Sequence, residues 1–210
     1  MILALTYISV LSVLFPIVLT LRNFQKGSQT LSFLSVFLYI SFAFDIASGI
    51  LAMYTINNMF LFHFYTLLKF IFFTLFFRMY FQAKWFNWFS IVLIVAFLIF
   101  HLAVIFNKGN IDTFDSAEQT VASLVIIIYC IAFYMHSLIN INEKDITDIP
   151  EFWVTSGALI YLAGNLFLFM TYNTTVTKGS DYLYLIHSGL YMVLMTFYSI
   201  ALWKNKASQE

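Results

Sequence analysis

The sequence predicts an all-α polytopic membrane protein, a bundle of seven transmembrane helices forming one domain over residues 1–210. Three observations predict it. Apolar residues make up 62% of the chain and charged ones only 10%, whereas a soluble domain carries roughly 25% charged residues. The apolar residues fall into seven runs of about 20 or more, the length needed to cross a bilayer as a helix. Only two prolines and seven glycines interrupt 210 residues, which suits long helices. Strands of a membrane barrel would be about 10 residues long and alternate in polarity; these runs do neither.

The first run, Ile2–Leu21, has no basic residue ahead of its apolar core and no Ala-x-Ala-like site after it. It therefore reads as a span and not as a cleaved leader. Pro16 lies inside it and should kink it or impose an irregular turn. The second and third runs, Leu31–Met53 and Asn58–Gln82, are separated by a short connection, so they should be antiparallel neighbours. Phe86–Phe106 and Gln119–Asn140 follow, then Phe152–Tyr172, with Pro150 just ahead of it, where a missing N–H does no harm. Tyr182–Trp203 is the last. The gaps are short and polar and leave no room for a soluble domain.

Orientation follows from the placement of Lys and Arg. The connections after helices one, three and five and the C-terminal tail hold seven of them, Arg22, Lys26, Arg78, Lys84, Lys144, Lys204 and Lys206, against Lys108 and Lys178 on the other side. The side richer in Lys and Arg is the cytoplasmic one, so the N-terminus is expected outside and the C-terminus inside. All four tryptophans, Trp85, Trp88, Trp153 and Trp203, fall near the inner interface, where an aromatic belt belongs. Net charge is zero, which excludes a basic nucleic-acid face. The lone Cys130 forms no internal disulfide.

Charged residues inside the membrane are costly and by default functional. Asp45 precedes the outer end of helix two by nine residues, and Lys69 follows the outer start of helix three by eleven, which places them roughly 14 and 16 Å deep. Their similar depth on adjacent helices predicts an ion pair. His63, His101, Glu118, Gln119, Asn165 and His187 also fall in the outer half, and Tyr65 and Thr66 share a face with Lys69 by i−4 and i−3 spacing. Asp45, His63, Tyr65, Lys69, Glu118, Asn165 and His187 are therefore the candidate ligand-binding set, lining a cavity open to the outside. No pair among His63, His101, His187 and Glu118 has the i, i+3 or i+4 spacing of a helical metal motif, so neither metal nor cofactor is expected. Phosphate-binding loops, zinc-hydrolase motifs and nucleophile elbows are absent, which argues against an enzyme. The small-residue clusters Ala47-Ser48-Gly49, Thr155-Ser156-Gly157, Ala163-Gly164 and Ser188-Gly189 permit close helix packing. The phenylalanines dense in Phe70–Phe77 are expected to face lipid and fill between helices.

Four stretches carry a family resemblance: Asn57–Tyr65 (NNMFLFHFY), Glu118–Tyr134 (EQTVASLVIIIYCIAFY), Glu151–Phe169 (EFWVTSGALIYLAGNLFLF) and Leu185–Trp203 with His187. Together they resemble uncharacterised seven-helix inner-membrane proteins of Bacteroidota-type bacteria, similar to the membrane sensor modules of histidine kinases. The resemblance departs at Lys69, where an acidic residue is more usual, and it supplies no catalytic residues. It implies a sensory or signalling module in the inner membrane that works through a separate histidine kinase or another membrane partner, because no kinase follows the last helix in this chain. Oligomer formation is compatible with it. The competing expectations are a structural subunit of a membrane complex and a small transporter using an Asp45–Lys69 pair.

Overall fold

In the computed structural model the described residues are 8–23, 28–108, 116–140, 145–175 and 181–207. They form α1 (Leu14–Asn23), α2 (Gln29–Met53), α3 (Met59–Phe81), α4 (Lys84–Lys108), α5 (Ser116–Asn140), α6 (Pro150–Thr175) and α7 (Asp181–Ala207). Among the described residues there is no strand. Six of these helices contain stretches long and apolar enough to cross a membrane, and the apolar stretch Ile8–Leu21 is shorter. The first expected span is the irregular one. Residues 8–12 are helical, Val13 is a turn, and the helix resumes at Leu14. Pro16 supplies the reason, since its ring takes away the N–H that would bond to Ser12 and crowds that carbonyl. Around the break the backbone bonds are stretched, with Val13 N to Val10 O at 3.4 Å and Ile17 N to Val13 O at 3.3 Å.

Local chemistry sets the ends of the other helices. Ser28 caps α2 by accepting the Leu31 N–H. At the far end of α2, Thr55 takes a left-handed φ of 56°. The Thr55 N–H then bonds to Ala52 O, and the Ile56 N–H to Leu51 O, satisfying carbonyls that the helix end leaves open. Asn58 ties this turn down, donating from Nδ2 to the Ser48 carbonyl and to Ser48 Oγ. Gln82, at φ 49°, ends α3, and α4 starts at Lys84, so these two helices are also antiparallel neighbours. At the opposite end of the bundle, Glu151 accepts from Ser28 Oγ at 3.1 Å and from Thr30 Oγ1, fastening the start of α6 to the start of α2.

The helices α1, α2, α3, α5, α6 and α7 pack in a ring, and α4 lies outside it against α3 and α5. The main core runs through the ring and is aromatic. Phe37 of α2 stacks on Phe72 of α3 at 3.9 Å between ring centroids, with Phe73, Phe76, Phe77 and Phe133 buried around them. The phenylalanine run of α3 is thus inter-helix filler, and five of its members (Phe70, Phe72, Phe73, Phe76 and Phe77) are turned away from the lipid-facing surface. Phe70 stacks on Phe97 at 4.0 Å, which holds α4 to α3. Trp85, Trp88 and Trp203 are exposed at one end of the bundle, and Trp153 stands there too, donating from its indole to Thr147 O.

Two of the four small-residue clusters do the close packing. A Cβ at Gly157 would lie 2.7 Å from Phe197 Cβ, and one at Gly164 would lie 2.7 Å from Leu190 Cδ1, both across the α6–α7 contact. Gly49 and Gly189 have nothing within 4 Å of such an atom.

Candidate functional site

Because the helices alternate in direction, the last turns of α2, α4 and α6 meet the first turns of α3, α5 and α7 at the end marked by the Tyr54–Asn58 turn. The polar candidates stand in this half of the bundle, where they form two separate networks.

The first network joins α3, α4 and α5 through Glu118. His63 Nδ1 donates to Glu118 Oε2 at 2.9 Å, and His101 Nδ1 donates to Glu118 Oε1 at 2.7 Å. One carboxylate thus serves an imidazole on each of two other helices, and all three side chains are buried. One residue further along α5, Gln119 continues the network. Its Oε1 accepts from Lys69 Nζ at 2.8 Å, and its Nε2 donates to Thr66 Oγ1 at 2.5 Å. Thr66 in turn donates to the Phe62 carbonyl. The Lys69 ammonium also lies 5.5 Å from the centre of the Phe169 ring, within range of a cation–π contact. A buried polar cluster is tolerable only when its members are paired, and i, i+3 spacing on α3 puts Thr66 and Lys69 on one face to do so.

The second network joins α2, α6 and α7. Tyr191 donates its hydroxyl to Asp45 Oδ2 at 3.1 Å. His187 Nδ1 and Asn165 Oδ1 are 2.9 Å apart, with the imidazole N–H donating, and Asn165 Nδ2 donates to the Tyr161 carbonyl one turn back. Tyr161 packs against both His187 and Tyr191, with ring centroids 5.8 and 6.3 Å away. Tyr65 reaches from α3 toward α2, its hydroxyl 3.4 Å from Ser41 Oγ.

This arrangement corrects the expected Asp45–Lys69 ion pair. Asp45 is held by Tyr191 and Lys69 by Gln119, and no salt bridge links them among the described residues. Depth along two neighbouring helices was sound, but rotation about each axis decides contact. Asp45 faces α7, whereas Lys69 faces α5. The expected single cavity is corrected as well. A cavity of about 20 Å³ among the described residues is lined by Tyr65 and Lys69 of α3, Tyr161 of α6, and Tyr191 and Tyr198 of α7, among aromatic and aliphatic neighbours. Asn165 and His187 do not line it; they satisfy each other. Of the four conceivable metal ligands, His63, His101 and Glu118 are brought together and His187 belongs to the other network. The two imidazole Nδ1 atoms stand at hydrogen-bond distance from different carboxylate oxygens, and the described residues contain no group of three ligands placed to hold a metal ion.

Thr66, His101, Gln119, Tyr161, Tyr191 and Tyr198 take part although they lie outside the candidate set. Thr66, His101 and Gln119 stand out in the sequence by depth or by sharing a face with Lys69. Tyr198 had a signal in the heptad spacing Tyr184, Tyr191, Tyr198, which repeats one face of a helix.

The independence of the two charges has a measurable consequence. Asp45→Asn leaves Tyr191 an acceptor, and Lys69→Met removes a buried charge while leaving Gln119 Oε1 unpaired. Their effects on unfolding free energy in mild detergent should add within about 0.5 kcal/mol, as for residues without a shared partner. A coupling above about 1 kcal/mol would reinstate direct pairing.

The chain matches no family model, no curated protein and no solved structure.

Proposed function

We propose that this protein is a non-enzymatic integral protein of a bacterial inner membrane, with seven spanning helices, its N-terminus outside and its C-terminus in the cytoplasm. In this reading it acts as a sensory module whose outer, polar half responds to a stimulus and passes the change to a separate partner such as a histidine kinase. The observation that carries the reading is that the buried charged side chains, Lys69 and Glu118, stand in one half of the bundle with their histidines, while the core of the other half is an aromatic layer with scattered hydroxyls. Between Lys69 and Arg78 on α3 the only polar side chain is Thr74, and it bonds back to its own helix at Phe70 O. Buried Phe73, Phe76 and Phe77 from that segment meet Phe37, Phe133 and Leu38. A transporter needs a polar route reaching both faces in turn, and an aromatic layer two turns deep works against one. The absence of an Asp45–Lys69 pair removes the feature on which the transport reading rested.

The test uses the full chain. Reconstituted into phospholipid vesicles under an imposed membrane potential, it should pass protons and ions no faster than empty vesicles; sustained flux would overturn the reading in favour of transport. Tagged wild-type chain captured from membranes in mild detergent should bring down a partner, and Glu118→Gln at equal expression should change that recovery several-fold. Equal, stoichiometric recovery by both forms would overturn it in favour of a structural subunit.

A further inference from the structure

Two corners at the tryptophan-rich end of the bundle each combine a cation with indole rings, and they differ in one respect. At the α6–α7 corner, Lys204 Nζ stands 3.1 Å from Asp148 Oδ1 and 5.8 Å from the centre of the Trp153 ring, so its charge is met by a carboxylate. At the α3–α4 corner, Arg78 is half-buried and meets only a neutral amide. Its Nε–H donates to Asn87 Oδ1 at 3.2 Å, and neither Arg78 nor Lys84 enters a salt bridge among the described residues. The bond to Asn87 uses the amide's acceptor and leaves donors. The terminal NH₂ groups of the guanidinium and the NH₂ of Asn87 have no acceptor among the described residues. Lys84 adds a second positive charge on the face of α4 that carries Asn87 and Trp88, by i, i+3 and i+4 spacing. A half-buried guanidinium with unused N–H groups and no counter-charge is costly, so this corner calls for an anion.

Its position says which anion. Arg78 lies three residues before the end of α3 and Asn87 three after the start of α4, roughly 5 Å from the helix ends, a depth that belongs to the headgroup boundary of a bilayer. Beside Asn87 begins an exposed apolar ridge, Trp88, Val92, Val95 and Ile99, which climbs α4 toward the bilayer centre at i, i+4, i+7 and i+11 spacing. An anion joined to an acyl chain meets both the donors and the ridge, whereas free phosphate meets the donors alone. A zwitterionic headgroup brings an ammonium, for which this corner, unlike that of Lys204, holds no carboxylate. The guanidinium fork matches two oxygens of a phosphate, and basic sites between spanning helices hold anionic headgroups. We propose that the α3–α4 corner is a binding site for one anionic phospholipid of the phosphatidylglycerol class, its phosphodiester held by Arg78 and Asn87 with Lys84 beside them, and its chain laid along the ridge. The site stands at the end of the bundle opposite the polar half and does not depend on the sensory reading.

The experiment follows thermal unfolding of the full chain in mild neutral detergent, titrated with phosphatidylglycerol, with phosphatidylcholine of the same chains, or with inorganic phosphate at constant ionic strength. A ligand that binds only the folded state raises its stability with concentration, so phosphatidylglycerol should raise Tm saturably and the other two should not. Arg78→Gln removes hydrogen bonds between charged groups and should raise the half-saturating lipid concentration about tenfold or more. Lys204→Gln, at the corner that has its own carboxylate, should leave that concentration unchanged. Asn87→Asp is nearly isosteric and sets a carboxylate against Arg78, so the chain itself supplies the missing anion. It should keep the lipid-free Tm and weaken the phosphatidylglycerol response about tenfold or more. A Tm that ignores phosphatidylglycerol would overturn the proposal. An equal response to phosphatidylcholine would reduce the corner to ordinary lipid contact, and one reproduced by inorganic phosphate would make it a site for the free anion; either overturns the proposal. So would an unchanged midpoint in Asn87→Asp, or a loss in Lys204→Gln as large as that in Arg78→Gln. Because Asn87→Asp preserves shape, it decides the matter even if Arg78→Gln does not fold.

Discussion

Replacing Glu118 with leucine should cost about 3–5 kcal/mol of unfolding free energy in mild detergent, the range for breaking a buried charged interaction from one side. The carboxylate accepts from His63 on α3 and His101 on α4, so its removal leaves two buried imidazole N–H groups without acceptors and loosens three helices at once. Glu118→Gln should cost less, about 1–3 kcal/mol. The amide oxygen can accept from one histidine, and the amide NH₂ can donate to the other once that imidazole moves its proton to Nε2. Adding His101→Leu to Glu118→Leu should cost less than the sum of the two single changes, because the second change removes a group that the first had already stranded. A loss below about 1 kcal/mol for Glu118→Leu would mean that the cluster is not a stabilising centre.

The second large effect is expected at the α6–α7 contact, where two glycines that look alike in sequence should behave differently. At Gly157 an added methyl would stand 2.7 Å from Phe197 Cβ, an atom fixed to the backbone of α7, so relief requires the helices to separate. Gly157→Ala should therefore destabilise by about 1–3 kcal/mol, the cost of overpacking a tight contact. At Gly164 the crowding atoms are the two terminal methyls of Leu190, which a change of rotamer can move. Gly164→Ala should cost under about 1 kcal/mol, and helix propensity offsets part of that, since alanine is favoured over glycine in a helix by about 1 kcal/mol. Equal losses at the two positions, read from detergent unfolding curves, would contradict the distinction between a rigid and a flexible neighbour.

Much of the helical layout was legible because a bilayer-length run of apolar residues is a one-dimensional signal. The run expected at Leu31–Met53 is the helix Gln29–Met53, and that expected at Asn58–Gln82 is Met59–Phe81. Pro16 announced the break near Val13. The polar half was legible for the same reason: counting residues from a helix end gives depth, and depth placed Lys69, His63 and Glu118 together. Counting does not give the rotation of one helix relative to another. That is why depth alone pairs Asp45 with Lys69 although the Asp45 carboxylate accepts from the Tyr191 hydroxyl, and groups His187 with His63 although it bonds Asn165. The choice of Glu118 as the hub follows from α4 lying outside the ring, so that His101 approaches α5 from the far side. Nothing in the spacing along the chain encodes that placement.

The bond between Lys69 and Gln119 spans 50 positions of sequence, and this separation sets a problem of timing during synthesis. At roughly 5–20 residues per second, Gln119 and Glu118 leave the ribosome roughly 3–10 s after Lys69. For that interval α3 carries a lysine and a histidine whose final partners do not yet exist, while α4, made in between, contributes only His101. A helix with a buried cation is a poor candidate for release into lipid on its own. The biogenesis of this chain thus calls for α3 to stay sheltered within the insertion machinery until α5 arrives, and for α3, α4 and α5 to leave it as a unit.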